Sequence, residues 1–214
     1  MKFFPLALLT LATASLMSAC GSLLPAPAPT PSFYTLTSAA SHLSDLQPVP
    51  ATVTTGPTLV VNPLRASAGF DSAHMVYTRS AQQLEHFARS EWADTPARML
   101  APWMVEVLSR ELTRASVVGA VVLAPTPAAS DFTLDTDLIR LQQDFNVQPS
   151  RVRLTLRVAL IQTTTRRVLA VREFDAAEPA LSDDPRGGVQ AAQVVSARVL
   201  QDVAEFCKAV IPAK

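Results

Sequence analysis

Between residues 150 and 162, "SRVRLTLRVALIQ", apolar and polar positions alternate cleanly from Ser150 through Val158. Val152, Leu154, Leu156, Val158 and Leu160 fall on one side; Arg151, Arg153, Thr155 and Arg157 fall on the other. A period of two places alternate side chains on opposite faces, so this segment predicts a strand with one dry and one wet face. "TTTRR" (163–167) reads as a turn and "VLAVREFDA" (168–176) as the returning strand. Upstream, residues 130–145 alternate through Phe132, Leu134 and Leu138, then slip near Ile139, which predicts a bulge. The three segments form an antiparallel meander with one solvated face.

Two other stretches repeat every three to four residues. In 95–115, Leu100, Trp103, Met104, Val107, Leu108 and Leu112 make one stripe. Thr95 is a good N-cap residue and Pro96 suits the first helical position. Pro102 falls inside the pattern, so either the first turn is distorted or the regular helix begins there. Glu106 and Arg110 are spaced for a surface pair. In 183–211, Val189, Ala192, Val195, Val199, Val203, Phe206 and Val210 step likewise behind Asp184 and Pro185, while Gly187-Gly188 should weaken the first turn.

The remaining strand signals are shorter. "SFYTLT" follows a proline ladder, and "TLVVNPLRAS" (58–67) is β-rich but broken by Pro63, which predicts an edge or a bulge. Met75–Arg79 and Leu84–Ser90 flank a turn at "SAQQ". Residues 116–124 predict one more strand, and 38–57 a loop. Strands, helix, strands, helix, with a half-wet sheet, predict an α+β fold: a mostly antiparallel sheet with two amphipathic helices packed on one face, as a two-layer sandwich.

Composition adds little to this. The 214 residues are 49% hydrophobic, enough for a core, and the net charge of +0 gives no sign of a nucleic-acid surface. The two cysteines and the N-terminus change the picture more. Lys2, the apolar run from Phe3 to Leu16, and small Ser18 and Ala19 read as a secretory signal, too short to span a membrane comfortably. The small residues run straight into Cys20, which resembles a bacterial lipobox with Met17 where leucine is usual. That resemblance implies removal of residues 1–19 and acylation of Cys20, with palmitate among the expected chains. Gly21, where aspartate would favour retention at the inner membrane, points to the outer membrane and its periplasmic face. Prolines alternate through 21–32, which predicts a semi-rigid spacer; with the acylation the lipobox implies, residues 20–32 are expected to be a lipidated tether and 33–214 a single periplasmic domain.

Candidate chemistry is sparse. His42, His74 and His86 lack the i, i+4 spacing of helical metal ligands. No Gly-x-Ser-x-Gly elbow or phosphate-binding glycine loop is present, and the chain has only 6 glycines. Asp135 and Asp137 share a strand face and could form a carboxylate pair; a solvated face is the plainer reading. Cys207, beside Phe206, is expected to be buried, His86 to be half-buried, and Trp92 and Trp103 to belong to the core. Arg151, Arg153 and Arg157 could meet a partner or anionic headgroups, or could simply line a solvated sheet face. No catalytic, cofactor or metal residue is expected.

The order of these features resembles one family. The lipobox, the proline tether, Tyr34 and Leu36 in "FYTL", the segment Met75–Trp92 with Arg89, Ser90 and Trp92, the stretch Thr95–Leu100 and the closing helix are similar to the ABC-type transport auxiliary lipoproteins of the PqiC-like group. The resemblance implies a non-enzymatic periplasmic subunit that docks a transport conduit at the outer membrane. Its implied partners are an MCE-domain protein and the ABC permease and ATPase of the same lipid transport system.

Overall fold

The clean alternation at 151–162 builds a long strand at the middle of a mixed sheet. In the computed structural model, which describes residues 30–37 and 55–212, the elements run in this order. Strands β1 (Ser32–Tyr34), β2 (Thr58–Val61), β3 (Arg65–Ala66), β4 (His74–Ser80) and β5 (Gln83–Trp92) come first. Helix α1 (Pro96–Arg114) follows, then β6 (Ala120–Leu123), β7 (Phe132–Asp144), β8 (Arg151–Gln162), β9 (Arg167–Pro179) and helix α2 (Pro185–Val210). All of them fall in the compact unit Pro31–Lys214.

The meander forms as expected. β7 pairs antiparallel with β8, and β8 with β9, each over nearly its full length. The β7–β8 register shifts between Leu138 and Arg140, placing the bulge at Ile139 where the alternation slips. A second shift between Leu160 and Ile161 leaves Leu169 as the extra residue of β9.

The other edge of β7 is shared by three short strands, all parallel to it: β2 along Phe132–Leu134, β3 along Asp137–Leu138, and β4 along Gln143–Asp144. Pro63 lies between β2 and β3, so the break in the β-rich run is real. The half before the proline is not at an edge, because β2 sits between β6 and β7, whereas β3 after it pairs with β7 alone among the described residues. The missing N–H of Pro63 falls where the chain passes from one β7 station to the next, with Asn62 N donating to Leu134 O and Ser67 N to Leu138 O. β4 and β5 form the expected hairpin, and β1 adds in parallel to β5.

Both helices present their apolar stripes inward. α2 lies over β8 and β9, α1 packs on α2 and β6, and the leucines and valines of the two stripes are buried except Val210, which is half-buried at the end of α2. Across from them Leu154, Leu156, Val158 and Leu160 of β8 are fully buried. Trp92 and Trp103 belong to this core, as expected.

Two local expectations need correction. α1 is continuous from Pro96 through Pro102, which sits on the exposed side where water can replace the lost N–H donor. Thr95 occupies the N-cap but makes no side-chain cap bond. Arg110 pairs with its neighbour Glu111 (2.9 Å).

Gly187 and Gly188, read as a weak point, are positions of close approach. A Cβ on Gly187 would lie 2.2 Å from Ser182 O, and one on Gly188 would lie 2.2 Å from Gln143 Oε1. The turn is held by Asp184, whose Oδ1 accepts from Gly187 N at 2.7 Å.

Candidate docking surface

Among the described residues, helices cover the inner face of the meander and none covers the outer face. Arg151, Arg153 and Arg157 do lie together on that face, and the register sets a carboxylate beside each. Arg157 pairs with Glu173 across the β8–β9 ladder (3.0 Å), and Arg151 reaches Asp144 on β7 (3.4 Å). Arg153 grips Asp175 with both Nε and Nη2; the Nε donates at 2.8 Å to one oxygen and 3.1 Å to the other. Thr155 Oγ1 donates to the same carboxylate at 2.7 Å. The Arg153 fork, with help from Thr155, holds the Asp175 carboxyl down to about 2. Asp144 is pushed up by burial, yet the Asn146 amides and Arg151 bring it below the usual range.

The "DTD" carboxylates are likewise committed. Asp135 accepts from Asn62 Nδ2 (2.6 Å), and Asp137 pairs with Arg65 (2.8 Å). This half of the outer face is a lattice of opposite charges between neighbouring strands, which fixes register and presents little net charge.

The histidines come closer than their spacing in the chain implies. β4–β5 pairing sets the His74 and His86 rings 4.9 Å apart, with Glu91 3.9 Å from His74 Nδ1. His86 is exposed rather than half-buried, because its side of the hairpin faces away from the helices. The signal that could have found this pair was the "SAQQ" turn, which folds 74–80 back onto 83–92. No group of three potential metal ligands converges among the described residues. His42 and Cys20 lie outside the described residues. Cys207 is fully buried, and burial pushes its thiol up to about 12, which leaves it protonated and unreactive.

Between the β4–β5 hairpin and the first turns of α2 is an apolar notch lined by Met75, Phe87, Trp92, Leu141 and Gly188. Gln143 closes it, donating from Nε2 to Ser150 Oγ (2.8 Å) while its buried Oε1 has no hydrogen-bond partner among the described residues. The long outer edge of β9 is open: among the described residues β9 pairs with β8 alone. Arg198 of α2 closes part of it by donating to Ala177 O (3.4 Å) and pairing with Glu178. No helix among the described residues is long and apolar enough to cross a membrane.

Known structures share this fold. The protein XCC0632 from Xanthomonas campestris is 22% identical with a TM-score of 0.67, over 82% of this chain and 93% of that one. A second crystal structure, of an uncharacterised protein, is 18% identical with a TM-score of 0.64, over 83% of this chain and 99% of that one. No curated protein matches the chain. The family model for the ABC-type transport auxiliary lipoprotein component matches residues 34–204, which takes in the whole sheet from Tyr34 and most of α2. The chain belongs to the ABC-type transport auxiliary lipoprotein component family.

Proposed function

We propose that this lipoprotein is a non-catalytic periplasmic subunit of an MCE-type ABC lipid transport system, anchored through Cys20 in the outer membrane, where it docks the transport conduit. The observation that carries this reading is the family match over residues 34–204. The lipobox-like run into Cys20 and the proline tether support the anchor. Docking at the outside of the domain is favoured over cargo carriage within it, because the layer between helices and sheet is filled by leucine and valine side chains with essentially no exposure. The helix-free sheet face and the open length of β9 are the surfaces suited to a partner strand or domain, since an unpaired edge supplies main-chain hydrogen bonds to an added strand.

The test is affinity purification of the tagged full-length chain from detergent-solubilised membranes. Recovery of an MCE-domain protein with its permease and ATPase is the expected result. A chain that repeatedly comes through without any of these components overturns the docking role. A Cys20→Ser variant should leave the membrane fraction; retention there would overturn the anchor.

A further inference from the structure

Ion pairing is not uniform over the sheet. Arg65, Arg151, Arg153 and Arg157 each have a carboxylate. Arg166 and Arg167, at the β8–β9 turn, make no ion pair among the described residues and are exposed. Val168 follows them, 51% exposed on the open face. The turn also stands beside a second uncharged surface. Thr163 N donates to Asp131 O (2.9 Å), and the Thr163 hydroxyl is 3.0 Å from that of Ser130. These bonds tie the turn to the β6–β7 loop, whose residues 124–130, "APTPAAS", carry no charge and expose Pro125 and Pro127. The acid of this region, Asp131, is engaged by Thr58 N at 2.8 Å.

The apex is also held at a conformational cost. Arg166 has φ 54, in the left-handed region where a Cβ crowds the following carbonyl and glycine is the ordinary occupant. A bulky cation kept at a glycine-type position is a candidate for selection by what its side chain touches.

We propose that the β8–β9 hairpin tip, Thr164–Val168 with the adjoining proline loop, rests against an anionic phospholipid surface. Two guanidiniums suit phosphate oxygens, the valine and prolines suit the headgroup boundary, and the threonines bear no charge that would resist approach. A protein partner is the poorer fit, because a five-residue apex offers far less than the roughly 800 Å² that each side of a stable interface buries. The proposal does not depend on which transport components the chain binds.

Amide hydrogen exchange of the full-length chain with vesicles tests it, comparing phosphatidylglycerol–phosphatidylethanolamine with pure phosphatidylcholine. Acyl anchoring is indifferent to headgroup charge, so it cannot mimic the expected result. Slowed exchange over 163–171 is expected in the anionic vesicles alone, diminishing at high salt. Arg166→Glu/Arg167→Glu should abolish it. Arg166→Gly should lower the protected fraction's bound-to-free ratio about fivefold. The same variant should melt no lower than the parent, because it relieves the left-handed arginine. Equal exchange in both vesicle types, or protection unchanged in both variants, would overturn the proposal. Protection that appears only in a protein complex would assign the tip to an acidic partner and overturn it as well.

Discussion

Gly187→Ala offers a test in which the usual sign of a substitution reverses. At an open helical position, replacing glycine by alanine stabilises by about 0.8–1 kcal/mol, because alanine surrenders less backbone freedom. Gly187 stands in the first turn of α2, where the loop before the helix folds back over it. A Cβ there would lie 2.2 Å from Ser182 O and 2.6 Å from Ser182 N, both backbone atoms, and 2.5 Å from Ser182 Oγ. Only the hydroxyl could rotate away. The loop cannot retreat freely either: Ser182 Oγ donates to Asp184 Oδ1 (2.9 Å), and Asp183 accepts from Ser150 N (2.7 Å). Overpacking of this kind costs about 1–3 kcal/mol. Displacing Asp184 from the Gly187 amide would cost about 1 kcal/mol more as a lost cap. These terms outweigh the propensity gain, and the net expected loss is about 1–3 kcal/mol. For a chain of this size, that lowers Tm by about 2–4 °C per kcal/mol. Urea denaturation followed by circular dichroism should show a lower midpoint with an unchanged slope. Gly69→Ala is the control, since its Cβ would meet only the mobile end of the half-exposed Leu84 at 3.1 Å. Gly187→Ala at or above parental stability would refute the reasoning.

Other consequences are equally concrete. Asp175 is held to about 2 when folded, below its unfolded value of about 3.9, so its contribution is complete above about pH 4 and is lost as pH falls toward 2. Asp175→Asn should flatten the acid limb of the urea midpoint against pH in that window; an unchanged limb would count against the Arg153 clamp. Leu156→Ala, at a fully buried position in the central strand, should cost about 2–5 kcal/mol in the same denaturation assay. Cys207 should remain unmodified by a thiol reagent at pH 8 in the native chain and react on unfolding; rapid native labelling would contradict its burial.

The sequence and the structure agree where the signal is local. The dry side of 151–162, the slip at Ile139 and the two helical stripes were readable because a strand's period of two and a helix's period of 3.6 record which face is buried. The mistakes share a different origin. Pro63 suggested an edge or a bulge, and only β3 after it is paired on one side; β2 before it lies inside the sheet with Leu59, Val60 and Val61 all buried, because the proline falls between two strands rather than within one. Gly187-Gly188 looked like a flaw because propensity knows nothing of Ser182 and Gln143 packed against them. The arginine row was visible as charge, while its partners Asp144, Glu173 and Asp175 became partners only through cross-strand register.

The amino-acid sequence alone determined the classes of element, the buried faces of the long strands and helices, and the family resemblance carried by their order. Tertiary structure decided which strands meet on the second edge of β7, which arginines are neutralised and which are left without a carboxylate among the described residues, and why the first turn of α2 carries two glycines. The physical reason is the range of the information. Periodicity is written in neighbours two to four residues apart, while pairing, charge compensation and close approach depend on residues brought together from distant parts of the chain.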